Sequence, residues 1–380
     1  MSEATPFNRP FMAGKELEYI AEAHFHGVLA GDGPFTQKCH RWLEASTSCN
    51  KALLTHSCTA ALEMSALLLN IEPGDEIIMP SFTFVSTANA FVLRGGIPVF
   101  VDIRADTLNI DEQLIEAAIT TRTRAIVPVH YAGVACKMDT IMSIAKRYDL
   151  KVVEDAAQGV MSSFKGRPLG SIGDLGALSF HETKNVISGE GGAILINDPA
   201  LTLRAEIIRE KGTDRSKFTR GEVDKYTWQE VGSSFLPGEL IAAFLWAQLE
   251  GAGSITRERL ASWQHYHEIL ENLELKGVLR RPIIPDDCQH NAHMYYVLLS
   301  DGIDRKRVLD ELKQNKISSV FHYVPLHSSP AGLRYGKVSG QMSVTDRQSD
   351  RLIRLPIWVG ITQAQQDRVV EVLTSALFIQ

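Results

Sequence analysis

The chain is expected to form an α/β protein: a large domain with a mostly parallel sheet flanked by helices, followed by a smaller α+β domain at the C-terminal end. Three observations lead there. Short apolar runs alternate with helical patterns over the first two-thirds of the sequence, the mark of βαβ units. Those runs are continuous rather than alternating, as strands covered on both faces must be. The length, 380 residues, exceeds what a single ordinary core serves.

Taken in order, residues 61–70 (ALEMSALLLN) read as a helix of good helix formers, cut off by Pro73-Gly74-Asp75. Glu76 to Met79 then reads as a strand, as do Pro98 to Ile103, Ala125 to His130 and Lys151 to Glu154. Helical patterns lie between them at 82–94, 110–119 and 139–147. Two more apolar strands, 176–178 and 194–196, flank a glycine-rich turn. The texture changes after about residue 250. Helices are read from Glu239 and over 257–273, a strand over 293–299, a helix over 305–314, a strand over 351–356 and a last helix over 363–377. The domain boundary is therefore placed between residues 1–250 and 251–380.

Composition narrows the function classes. Hydrophobic residues are 44% and charged residues 22%, with a net charge of −6, which suits a soluble globular protein. The charges are mixed, and no basic excess suggests nucleic-acid binding. No apolar run is long enough to cross a membrane, and the N-terminus lacks a signal pattern. The cysteines are Cys39, Cys49, Cys58, Cys136 and Cys288. They are odd in number, scattered and without a CxxC pair, which argues against a disulfide framework and a zinc site. A reducing cytoplasm is the expected compartment. His130, His181, His322 and His327 show neither HxxxH nor HExxH spacing, so no metal is expected.

Four segments stand where such a sheet would gather a ligand, beyond the carboxyl ends of its strands. Thr55-His56-Ser57-Cys58-Thr59-Ala60 precedes a helix and offers hydroxyls, free N–H groups and a positive dipole end to an anion. Simple N-capping by Ser57 or Thr59 is the competing reading. Val152-Val153-Glu154-Asp155 is an apolar strand ending in two carboxylates. Such a carboxylate suits a cation or a protonated ring nitrogen, or else a helix cap. Ser179 to Asn185 (SFHETKN) places Lys184 between an apolar strand and the turn Gly189-Glu190-Gly191-Gly192. A lysine at a sheet edge loses charge by desolvation and becomes a nucleophile toward carbonyls. GEGG lacks the G-x-G-x-x-G spacing and the following helix of a dinucleotide loop. Pro80 to Thr87 carries Phe82 and Phe84 at a strand-to-helix turn, where a ring either stacks on a flat ligand or joins the core. Together, in chain order, these make a phosphate cup, a ring stacker, an aspartate and a lysine, with Asp155 and Lys184 29 residues apart. Pyridoxal 5'-phosphate (PLP) requires that set.

The stretches GDGPFT (31–36), SCTAALE (57–63), MPSFTFVSTANA (79–90), VPVHYAG (127–133), VVEDAAQ (152–158), SFHETKN and GEGGA resemble the DegT/DnrJ/EryC1/StrS sugar aminotransferases over nearly the whole chain. That resemblance implies PLP fold type I and transamination of a nucleotide-linked keto-sugar. Lys184 would carry the cofactor and move protons. Asp155 would face the ring nitrogen, Gln158 the ring hydroxyl and Phe84 the ring face. Ser57, Cys58, Thr59 and Ser179 would hold the phosphate. In much of the family a G-x-N-x-R segment of the partner subunit adds an Asn to the phosphate. Here Gly232-Ser233-Ser234-Phe235-Leu236 stands there, with Ser234 in the Asn position and Leu236 in the Arg position. His327 resembles a histidine near the sugar. A homodimer with a shared active site is expected, with glutamate as amino donor. HETKN, IIREKGTDRSKF, VDKYTW and VGSSFL resemble the branch that makes dTDP-4-amino-4,6-dideoxygalactose for enterobacterial common antigen. Gluco-specific or C3 aminotransferases are the alternatives. A dehydratase of the same fold is a weaker one, because those relatives carry histidine in place of the lysine present here as Lys184. A regulator that kept the fold is disfavoured by the intact lysine, aspartate and phosphate cup.

Overall fold

The computed structural model describes residues 4–378. Its central sheet has eight strands: β1 (Lys51–Thr55), β2 (Glu76–Pro80), β3 (Ile97–Val101), β4 (Thr123–Ile126), β5 (Lys151–Asp155), β8 (Leu175–Ser179), β9 (Gly192–Ile196) and β13 (Lys337–Val338). Their order is β1-β9-β8-β5-β4-β2-β3-β13. From β13 to β8 every pair is parallel, whereas β9 runs antiparallel to both β8 and β1. The expected mostly parallel sheet is present. The strands β2, β8 and β9 are buried along their whole length, which explains their continuous apolar sequence.

Helices α2 (Pro34–Thr47), α3 (Cys58–Leu68), α4 (Val85–Val92) and α5 (Met138–Tyr148) cover the sheet, and α1 (Glu16–His26) packs on the long helix Glu239–Ile269. Local chemistry sets their ends. Ser57 caps α3 by accepting from Ala60 N at 3.1 Å. Pro34 opens α2, a position that needs no N–H. Glu239 accepts from Phe35 N at 2.8 Å and Thr36 N at 3.0 Å, placing a carboxylate on the positive end of α2. The GDGPFT stretch thus seats this glutamate. A Cβ on Gly33 would come within 2.5 Å of it.

Two expectations meet a different outcome. Residues 110–119 form turns and one short 3-10 segment, Glu116–Ala118, rather than a helix. Ile110 is taken up by a bridge to Ile103, so the buried Ile110, Ile115 and Ala118 reach the core without a helix. The two helices read after Glu239 are one, Glu239–Ile269. This helix runs through the boundary placed at 250/251.

The C-terminal part builds a three-stranded antiparallel sheet in which β12 (Tyr295–Leu299) lies between β10 (Leu279–Arg280) and β14 (Leu352–Leu355). The short strands β6 (Ser163–Phe164), β7 (Arg167–Pro168) and β11 (Cys288–Gln289) form a third sheet. A small apolar cluster of Phe82, Ile103, Leu108, Tyr131, Met294, Tyr296, Leu298 and Leu352 joins the two larger parts. Strand β13 returns to the edge of the large sheet, where Lys337 pairs at 2.8 Å with the buried Glu76.

Candidate active site

The carboxyl ends of β5 and β8 and the turns leading into α3 and α4 border one cavity of about 810 Å³. Ser57, Cys58, Thr59, Phe84, Asp155, Gln158, Ser179 and Lys184 all line it. Chain segments far apart in sequence converge there because parallel strands release their following loops on the same side of the sheet.

At the start of α3, Ser57 Oγ is engaged as the cap, so the capping and anion-site readings coexist. The N–H groups of Cys58 and Thr59 have no acceptor within their own helix and face the positive dipole end. Thr59 Oγ1 lies 2.7 Å from Ser86 Oγ on α4, which brings a second helix to the cup. Gly192, at the head of β9, is packed so closely that a Cβ would sit 2.4 Å from Cys58 N. Only glycine lets that strand abut the helix start.

Asp155 closes β5. Its Oδ2 accepts from Thr87 Oγ1 at 2.7 Å and its Oδ1 from Ala157 N at 3.1 Å. Thr87 has one hydroxyl hydrogen, given to Asp155, so the 2.8 Å contact with Thr83 Oγ1 runs from Thr83 to Thr87. Both threonines are buried. The strand end is braced from behind by Glu154, which accepts from His130 Nε2 at 2.9 Å and from the N–H groups of Gly170, Ile172 and Gly173. Cys136 N donates to His130 Nδ1, which leaves the ring hydrogen on Nε2 for Glu154.

Lys184 is half-buried in the loop after β8. Desolvation lowers its ammonium pKa from the ordinary lysine value, the nearby Arg354 lowers it further, and Asp155 opposes the shift. Its environment therefore eases loss of the ammonium proton, which frees the nucleophilic amine. Burial drives the Cys58 thiol the other way, well above its usual range, so it stays protonated. Gln158 is held at both ends, accepting from Ala132 N at 2.6 Å and donating to Tyr323 OH at 3.1 Å. The two phenylalanines of the β2–α4 turn separate: Phe82 is 1% exposed and in the core, whereas Phe84 is 58% exposed and presents its ring at the cavity.

His327 is not among the residues lining the cavity, and neither is Ser234, which was expected to act at the partner subunit's phosphate cup. Ser234 is exposed and bridges to Glu210. His327 sits in the 3-10 segment Leu326–Ser328, outside the set of cavity-lining residues. There Ser81 Oγ accepts from His327 N at 3.0 Å and lies 2.8 Å from its Nδ1, while Nε2 faces Asp346 at 3.3 Å. Ser81 is fully buried and ties up the ring that the sequence assigned to the sugar.

The facing wall comes from residues the sequence reading did not assign to the site: Phe7, His293, Phe321, His322, Tyr323 and Arg354. Tyr131 OH lies 3.1 Å from His322 Nδ1, and burial drives the pKa of His322 and His293 well below the usual histidine range. Both rings are neutral near pH 7. An arginine inside the apolar run Leu352-Ile353-Arg354-Leu355 was the one available signal.

PLP fits these residues. The cup at α3 with Thr59, Ser86 and Ser179 suits the phosphate, Phe84 the ring face, Asp155 the ring nitrogen and Lys184 the aldehyde. Among curated proteins, the GDP-perosamine synthase of Caulobacter vibrioides is 32% identical, covering 97% of each chain. The UDP-4-amino-4-deoxy-L-arabinose–oxoglutarate aminotransferase of Shewanella sediminis is 29% identical over 98% of each. The crystal structure of a DegT DnrJ EryC1 StrS aminotransferase from Brucella abortus superimposes with a TM-score of 0.87 at 27% identity, covering 96% of each chain. The model of the DegT/DnrJ/EryC1/StrS aminotransferase family matches residues 10–374. With that match, and with the lysine, aspartate and phosphate cup in one cavity, the chain belongs to this family of PLP-dependent sugar aminotransferases.

Proposed function

We propose that the protein transfers an amino group from glutamate to C4 of dTDP-4-keto-6-deoxyglucose, forming dTDP-4-amino-4,6-dideoxygalactose. The observation that carries the reaction type is the desolvated Lys184 amine beside Asp155 in a single cavity. Bound PLP supplies an electron sink for the carbon that gains or loses the amine. The protein's residues do the rest. Asp155, oriented by Thr87, holds the proton on the ring nitrogen. Lys184, once freed from the cofactor, carries the proton to and from the substrate carbon.

The branch-like stretches HETKN and IIREKGTDRSKF support the choice of sugar, and the name of the Shewanella relative supports C4 amination with the glutamate/2-oxoglutarate pair. The exposed Trp228 and Val231 near Ser234 support a homodimer in which that segment reaches the partner's phosphate cup. Free cysteines throughout the chain fit a reducing cytoplasm.

The test is an assay with glutamate and dTDP-4-keto-6-deoxyglucose, followed by NMR of the product. Formation of 2-oxoglutarate with a small H3–H4 coupling, an axial amine, establishes the galacto product. A large coupling moves the chain to a gluco-specific branch. Sugar turnover without 2-oxoglutarate replaces transamination by dehydration.

A further inference from the structure

We propose that Arg354 binds the α-carboxylate of the amino donor. The residue stands on β14 between Ile353 and Leu355, both fully buried. Backbone hydrogen bonds in both directions to Val320, 2.8 and 3.4 Å, fix its position on the cavity wall. The ring of Phe7 covers one face of the guanidinium, with Cζ 4.8 Å from the ring centroid. Nε is buried and has no hydrogen-bond partner. Among the described residues, no carboxylate lies within ion-pair distance of it. A guanidinium partly withdrawn from water, with its Nε buried and no counterion, is costly, and an anion entering the cavity relieves that cost.

The other arginine on this cavity makes the contrast. Arg259 already donates from Nε to Ala292 O at 3.1 Å and from Nη2 to His293 O at 2.8 Å. It is a fixture of the wall. Arg354 keeps its donors free, and the planar fork of an arginine matches a carboxylate.

Position decides which anion. Arg354 lines the same cavity as Lys184, His293 and His322, and its charge disfavours the charged form of each. The donor's nitrogen must come to the lysine. In an α-amino acid the carboxylate is two bonds from that nitrogen. In a 4-keto-sugar nucleotide the diphosphate hangs from C1, across the ring from the reacting C4. The phosphate cup at α3 is built from other elements, the N-terminus of α3 and Ser86 of α4. The assignment rests on the reading that the donor is an α-amino acid.

The test uses the holoenzyme and 2-methylglutamate, which has no α-hydrogen to lose, so binding is followed by cofactor absorbance without turnover. R354Q should bind it roughly 100-fold more weakly than wild type. The reaction of its cofactor-amine form with the keto-sugar should stay within about threefold of wild type. Unchanged 2-methylglutamate binding overturns the assignment. So does an equal loss in both half-reactions, and so does a loss confined to the sugar half-reaction, which would give Arg354 to the diphosphate. If R354Q does not fold, wild type decides. Calorimetry should give 4-aminobutyrate, which lacks the α-carboxylate, roughly 100-fold weaker binding than 2-methylglutamate, and equal binding overturns the assignment. Failure of wild type to convert its cofactor with any α-amino acid is a separate result. It removes the donor reading and this assignment with it.

Discussion

On the wall formed by the strand ends, most of the assigned polar side chains already have partners. Asp155 accepts from Thr87 and Ala157, Gln158 is held by Ala132 and Tyr323, and Ser57 caps its helix. On the facing wall, Arg354 has a buried Nε with no partner, and Phe321 and Val324 are 49% and 61% exposed. The first wall is held ready by side chains whose orientations are fixed, as a resident cofactor requires. The second keeps donors and apolar surface uncommitted, as suits molecules that enter and leave at each turnover. Substitutions on the first wall should therefore damage both half-reactions. Substitutions on the second should separate them.

The largest effect belongs to Lys184. Lys184→Ala should lower kcat by about 10⁴-fold or more in both half-reactions, since it removes the cofactor anchor and the proton carrier together. Stopped-flow absorbance with glutamate, and then with the keto-sugar, measures each half. Turnover near the wild-type rate in either half would remove the lysine from the mechanism.

Asp155→Asn keeps the shape of the strand end but removes the negative charge opposite the ring nitrogen. A roughly 10²- to 10³-fold fall in kcat is expected in both directions, with a changed cofactor spectrum. Thr87→Val is the graded version. It deletes one hydrogen bond to Asp155 worth about 1 kcal/mol, so kcat should fall about fivefold while KM for either substrate holds. A rise in KM for one substrate alone would make Thr87 a substrate contact instead of a support for Asp155.

The same contrast explains what could be read from the sequence. The first wall was legible because it is local: each part lies within a few residues of a strand end, and PLP dictates the residue types. The mostly parallel sheet was legible for the same reason, since two-sided burial leaves continuous apolar runs. The second wall is assembled from residues 7, 293, 320–324 and 354 by tertiary packing, and no short-range pattern links them. His327 shows the converse case. The sequence could show a histidine beside Pro325 and Leu326, but the buried Ser81 that engages it lies 246 positions away. Likewise, nothing local distinguishes Phe82 from Phe84, which the fold sends to the core and to the cavity.

A pH experiment couples the two walls. Burial is the main cause of the lowered Lys184 pKa, and Arg354 adds to it. A lysine is uncharged above its pKa, so a lowered value makes the free amine available at lower pH. PLP capture by the apoprotein should accelerate as pH rises and level off below the ordinary lysine value of 10.5. R354Q removes a repelling cation and should move that rise to higher pH. Stopped-flow reconstitution across the pH range reads it, and an unmoved or downward-moved profile would separate the two residues electrostatically.

The smallest effect sharpens the boundary of the site. Ser81 Oγ accepts from His327 N and lies 2.8 Å from its Nδ1, while Nε2 lies 3.3 Å from Asp346. This geometry ties the segment carrying His322 and Tyr323 to the end of β2. His327→Gln should cost about 1 kcal/mol of stability and lower Tm by about 1–2 °C. KM for the keto-sugar should change by less than about twofold, because the ring is not part of the cavity lining. A KM rise of about tenfold with an unchanged Tm would instead place the histidine against the sugar, and the cavity would then have to open toward Ser81 when substrate binds.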